Sequence, residues 1–187
     1  VALFFLEIIK ISILAAITII SVRYFLFKPF YVKGQSMEPT FHERDYLIID
    51  EISYRFRTPE RGEIVVFKSP INTDFYLKRI IALPGERVKV ENNTVIVYNE
   101  ENPRGWVLPE VYLEEETPGS VSLTLGENEY FVLGDNRDSS FDSRRFGAIQ
   151  KDVIVGRVWF RGWPFSRLST FSLPEYTSES TVSTQNS

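Results

Sequence analysis

Hydrophobic positions along this chain fall into two regimes. From Ile8 to Phe27 twenty consecutive positions are broken by charge only at Lys10 and Arg23. Wound as a helix they would reach about 30 Å, the hydrocarbon thickness of a bilayer, so residues 1–28 are expected to form one membrane anchor. The uncharged centre, Ile11 to Val22, has the length of a signal-peptide core. No small-residue cleavage site comes after it, because Arg23 to Tyr31 is bulky and basic, and a retained anchor is expected. Arg23, Lys28 and Lys33 lie after the span and Lys10 before it, which by the positive-inside rule would put the globular part of the chain in the cytoplasm.

Past Thr40 the apolar runs become short and β-like: Tyr46 to Asp50, Glu63 to Lys68, Phe75 to Leu83, Arg87 to Glu91, Thr94 to Tyr98, Ser120 to Leu125, Glu129 to Leu133 and Val153 to Phe160. In one of these, Val88 and Val90 share a face, and Asn92 and Asn93 ahead of Thr94 are turn residues that predict a hairpin. No later run has helical periodicity. The pattern predicts a mainly β protein: an antiparallel β domain over residues 29–168, closed or stacked to hide its edges, behind one N-terminal transmembrane helix. Residues 99–129 carry eight glutamates against Arg104 alone and read as a solvated acidic insertion. Residues 169–187 are rich in Ser and Thr and are expected to be a disordered tail.

Composition narrows the chemistry. There is no cysteine, which removes disulfides and thiolate sites. The single histidine, His42, excludes a histidine metal cluster and reads as a turn residue; its place six residues from Ser36 makes a Ser-His-Asp triad improbable. A net charge of −4 without a dense Lys/Arg patch argues against nucleic acid as a partner.

Three stretches remain that carry chemistry. The first, Gly34, Gln35, Ser36, Met37, Glu38, Pro39, Thr40, sets a serine just past the apolar segment; Pro39 keeps Glu38 out of the helical region, so Ser36 is expected in a turning or extended loop. The second, Phe75 to Gly85, sets Lys78 and Arg79 inside an apolar strand. Lys78 shares one face with Tyr76, Ile80 and Ala82, Arg79 the other with Phe75, Leu77, Ile81 and Leu83, so at least one cation must be partly buried, and periodicity does not say which. Without a usable histidine, a nucleophilic serine would need a neutral lysine as its base, which burial can supply by lowering an amine pKa of about 10.4 by roughly 3 to 5 units. The third stretch, Gly134 to Gly147, is dense in hydroxyls, carboxylates and guanidiniums. It reads either as a polar turn or as a wall against a Ser36 and Lys78 site.

Ser36 to Thr40 after an anchor, then Lys78 and Arg79 with Pro84 and Gly85, then Gly134, Asp135, Asn136 and Arg137 through Ser140, Asp142, Ser143 and Arg144 together resemble type I signal peptidase, over roughly residues 8–165. The resemblance implies a β catalytic domain of the signal peptidase type, on the extracytoplasmic (or thylakoid lumen) side of a membrane, against the local charge count. It implies a serine endopeptidase that removes signal peptides from exported preproteins, with signal peptides and the lipid bilayer as partners and no metal or cofactor. Residue by residue it implies Ser36 as nucleophile and Lys78 as general base, Ser140 hydrogen-bonded to the lysine amine, and Asp142 paired with Arg144 to hold the wall. Phe30, Val32, Tyr76 and Leu77 would form the shallow apolar pockets that accept small residues at the cleavage site. Gly34 stands where part of the family has a serine that contributes an oxyanion donor, so a second donor beside the Ser36 N–H is left open. The alternative is a membrane-tethered β domain that binds exported chains without cutting them.

Overall fold

The computed structural model describes residues 2–25, 27–174 and 176, with side chains at 4–19, 29–174 and 176. It opens with helix α1 (Ala2–Phe25), whose described side chains, from Phe4 to Ile19, are exposed. Among the described residues, no helix is long and apolar enough to cross a membrane. The helix ends at Phe25, short of the expected Phe27, and Phe27 already belongs to strand β1 (Phe27–Tyr31). Pro29 sits inside β1 without breaking a ladder, because β1 is an edge strand paired on one side only, to β2 (Tyr46–Asp50).

The strands β3 (Ile64–Lys68), β4 (Phe75–Ala82), β5 (Arg87–Glu91), β6 (Thr94–Tyr98), β7 (Trp106–Val107), β8 (Val121–Thr124) and β9 (Glu129–Leu133) come next along the chain. After them come the short helix α2 (Ser143–Phe146), β10 (Ile149–Gln150), the long β11 (Ile154–Trp163) and β12 (Ser169–Thr170). They form two antiparallel sheets. The larger runs β1-β2-β11-β3-β4-β9-β10, with β12 added on β11, and the smaller runs β7-β6-β5-β8. All eight strands expected from alternation are present, within a few residues at their ends. Asn92 and Asn93 both take positive φ, 49° and 61°, and close the β5–β6 hairpin with Glu91 opposite Thr94. That is the twist a two-residue turn between right-twisted strands requires.

Alternation fixes the packing. Val88, Val90, Val95 and Val97 are buried on the inner face of the small sheet, against Ile81, Phe131 and Leu133 of the large one. A second apolar cluster joins Leu47, Ile49, Ile64 and Val158 to Val32, Met37 and Phe41, so the loop between β1 and β2 is pinned into the core by its own side chains. Truncating Phe41, fully buried, is expected to cost about 3 to 5 kcal/mol.

Two expectations change here. The acidic segment 99–129 is not simply a solvated loop: Glu114, Glu115 and Glu116 are exposed, but β7 and β8 flank the small sheet and Leu108, Thr117 and Leu125 are buried. The tail expected to lack structure from Ser169 is paired at Ser169 and Thr170, and Phe171 packs on Phe41 with ring centroids 4.6 Å apart. Apolar Phe171 has a pocket to fill and ends the disorder argument there; residues 177–187 lie outside those described.

Candidate active site

Ser36 stands at the tip of the pinned loop. Gly34 enters it at φ 81°, a conformation that L side chains rarely adopt, and two tight bonds shape the turn, Glu38 N–H to Gln35 O at 3.1 Å and Phe41 N–H to Met37 O at 2.8 Å. Buried Met37 and Phe41 hold the loop from below, which leaves the Ser36 hydroxyl presented and the loop turning, as its proline predicts.

β4 brings the second group. Lys78 Nζ donates to Ser36 Oγ at 2.6 Å. Lys78 and Arg79 are both buried, each 4 % exposed, so the strand conceals two neighbouring cations on opposite faces rather than one. Their fates differ because their partners differ. Arg79 is held by Asp135 through Nε at 2.9 Å and Nη2 at 2.6 Å and stays charged. Among the described residues no carboxylate is in hydrogen-bond contact with Lys78; burial lowers its amine from 10.5 to about 8, against the opposing pull of Asp142 and Asp135 and with a small push from Arg144. An amine near neutrality beside a hydroxyl is a general base in waiting.

The stretch from Gly134 to Gly147 forms the wall behind this pair. Asp142 caps α2, accepts from Gly134 N–H at 3.1 Å, and is bonded by Arg144 through Nε and Nη2, both at 2.9 Å. The expected ion pair is therefore present and fully tied in. Ser140 differs from expectation. Its hydroxyl is buried and makes no hydrogen bond, so the bond to the Lys78 amine is absent; the side chain is pressed against Gly134 instead. Asn136 N–H donates to the Ser36 carbonyl at 3.1 Å and joins the wall to the loop.

In front of Ser36 and Lys78 opens a cleft of about 660 Å³, lined by Phe30, Val32, Tyr76 and Leu77 together with Phe75 and Phe141. All four residues expected to form apolar pockets thus meet at one opening. Phe30 and Phe75 pack edge to face with centroids 5.5 Å apart, which sets the cleft's apolar rim. His42 lies outside it, in the turn where its N–H meets Asp45 Oδ2 at 3.1 Å.

Residues 5–163 match a family model described as "Signal peptidase, peptidase S26". The chain belongs to the signal peptidase S26 family. It is similar to "Probable signal peptidase I-2" of Synechocystis, 39% identical over 170 residues, covering 87% of this chain and 75% of that protein. It is also similar to "Signal peptidase IB" of Staphylococcus aureus, 36% identical over 181 residues, covering 89% of this chain and 94% of that protein. A solved signal peptidase I structure from Enterococcus faecalis matches at 34% identity and TM-score 0.47, covering 54% of this chain and 97% of that one. Membership makes the chain a hydrolase of the serine-endopeptidase type.

Sequence reasoning missed part of this candidate site. Asp135 accepts from Thr40 Oγ1 at 2.5 Å as well as from Arg79, tying the serine loop to β4. Its signal was visible, a carboxylate in the third stretch and a cation beside Lys78, but nothing in the spacing paired them. The need for glycine at position 134 leaves no mark in the spacing either: a Cβ there would collide with the Ser36 carbonyl oxygen and lie 2.6 Å from Ser140 Cβ.

Proposed function

We propose that the chain removes N-terminal signal peptides from exported preproteins by a Ser36-Lys78 dyad. The observation that carries this reading is the 2.6 Å contact between Lys78 Nζ and Ser36 Oγ at the foot of an apolar cleft. With the amine neutral, that bond runs the other way, from the hydroxyl to the nitrogen lone pair. Ser36 Oγ attacks the scissile carbonyl as its proton passes to Lys78, and the ammonium returns the proton to the leaving amine. An ester to Ser36 is left. Water then attacks the ester, giving a proton to Lys78, which passes it to the departing Ser36 oxygen; the acid product is released and ionises, and the neutral amine and the Ser36 hydroxyl are restored. The Ser36 N–H stabilises the oxyanion in both halves, and the second donor stays unassigned because Gly34 has no side chain to offer.

The substrate would lie extended along the cleft, its small side chains directed at the pockets of Phe30, Val32, Tyr76 and Leu77. Asp142, Arg144 and Ser140 support the wall rather than touch the reacting atoms. We assign residues 1–28 to a membrane anchor, 29–168 to the catalytic domain on the export side, and the remainder to a tail. Exposed Tyr31, Tyr46, Trp159, Trp163 and Phe165 suit a bilayer interface, where aromatic rings are favoured. Signal peptidases named among the relatives support the activity.

The test is cleavage of a preprotein in detergent by the purified chain. Wild type should shorten the substrate, Ser36→Ala and Lys78→Ala should not while keeping their fold, and His42→Ala should match wild type. Turnover by folded Ser36→Ala would end the reading.

A further inference from the structure

The acidic segment between β6 and β9 takes no part in the proton transfers of the dyad, yet two of its side chains reach the wall of the site. Glu110 accepts from both terminal nitrogens of Arg137, at 2.7 Å and 2.5 Å. The Tyr112 hydroxyl donates to the same carboxylate at 2.8 Å. Arg137 is 1% exposed, and its remaining Nε donates to the Gly134 carbonyl at 2.9 Å. Gly134 is the residue on which the Ser36 carbonyl is seated. Contacts therefore run without a gap from Glu110 through Arg137 and Gly134 to Ser36. The Tyr112 ring also lies 3.9 Å from the Arg79 guanidinium, next to Lys78 in sequence.

A buried ion pair of this kind is a weak source of stability, since apolar side chains of equal volume often do as well. What a two-pronged carboxylate-guanidinium pair supplies is direction, because both nitrogens are fixed at once. We propose that Glu110 is a positioning residue for peptide hydrolysis: its carboxylate orients Arg137, which sets the Gly134 carbonyl and through it the placement of Ser36 against Lys78. The acidic segment is then part of the catalytic apparatus. The inference rests on the Ser36-Lys78 reading.

Steady-state preprotein cleavage by the full chain tests it. Glu110→Gln is expected to lower kcat roughly tenfold with KM within about twofold, as a small misplacement of a reacting group does. Glu110→Asp, which keeps the charge, should recover part of that loss. The double variant with Arg137→Gln should be no slower than the slower single one, because the two residues act as a unit. Unchanged kcat in folded Glu110→Gln, or losses that multiply in the double variant, would overturn the assignment. If Glu110→Gln does not fold, Tyr112→Phe removes only the hydroxyl that donates to Glu110; kcat about threefold lower at constant KM is expected, and an unchanged kcat overturns the proposal. Ser36→Ala keeps the two readings apart. Activity there removes the dyad itself, whereas its loss alongside full activity of Glu110→Gln removes only the part given to Glu110.

Discussion

Gly134 lies against the carbonyl oxygen of Ser36, so close that the smallest side chain would displace one or the other. The contact joins the two ends of the site: the loop that presents the hydroxyl and the wall that closes behind the lysine. Gly134 has no positive φ to excuse it, so the glycine is required by space alone. Gly134→Ala is expected to destabilise the fold by about 1 to 3 kcal/mol and to lower turnover by roughly a hundredfold, since the loop must shift to admit a methyl group. Thermal melting and preprotein cleavage on the same sample check both; wild-type turnover would mean that the loop yields without moving Ser36.

The rate should track the protonation of one amine. Burial brings Lys78 down to about 8, and only its neutral form can take the Ser36 proton. Activity is therefore low below that pH and rises through it as the amine loses its proton. Single-turnover cleavage from pH 6 to 10 gives the apparent pKa directly, and a rate that is flat over that range, or that falls, contradicts Lys78 as the base.

The same burial has a consequence for stability. Unfolded, Lys78 titrates near 10.5; folded, near 8, so between these values the unfolded chain binds the additional proton and stability rises with pH. Below pH 8 the penalty for the buried charge is fully present. Lys78→Met removes it, and should be inactive yet more stable at pH 7 by up to about 3 kcal/mol, with the gain shrinking as pH rises from 8 and gone above about 10.5. Denaturant midpoints at pH 7 and pH 10 measure this, and a gain that does not shrink at the higher pH would put the effect elsewhere.

How far the sequence discloses this site depends on the range of the interaction. Strands whose side chains alternate, such as Arg87 to Glu91, show themselves because one face is buried and the next is not. Strand β1 does not, since Phe27 to Tyr31 continues an aromatic run and contains Pro29, and β7, β10 and β12 have two residues each. The roles proposed for Ser36 and Lys78 are legible because residue type limits what can act as a base in a chain with one histidine. Pairings such as Arg79 with Asp135 or Arg137 with Glu110 leave no periodic trace. They span 56 and 27 positions; the first is set by the pairing of β4 with β9 within the large sheet, the second by where the segment after β7 meets the loop after β9. Ser140 shows the limit from the other side: the right residue in the right stretch, turned to Gly134 by packing.

Substrate choice should depend on the cleft's smallest dimension. Leu77 is half-buried at the opening beside Lys78, with Phe30 and Tyr76 around it. Leu77→Ala widens the pocket and is expected to let valine or leucine replace the small residue at the cleavage site with about tenfold less discrimination, the worth of one or two methylenes in an apolar pocket. Competition between paired preproteins that differ at this residue reads the ratio, and an unaltered ratio would place the pocket away from Leu77.

Asp135 is the point at which the serine loop and the lysine strand are tied. It accepts from Thr40 at 2.5 Å and from Arg79 at 2.9 Å and 2.6 Å, and it is 3% exposed. Asp135→Asn keeps the shape and one acceptor but leaves a buried guanidinium without its counter-charge, which is expected to cost about 3 to 5 kcal/mol of stability. Replacing Arg79 with Met in the same chain removes the orphaned cation and should restore most of that loss. Activity should not return with it, because Met offers nothing to align β4 and Thr40 still lacks the carboxylate that holds its loop. Melting temperature and turnover of the two variants measure these effects separately. A double variant that regained both would show that Asp135 stabilises the fold and does nothing to place Ser36 beside Lys78.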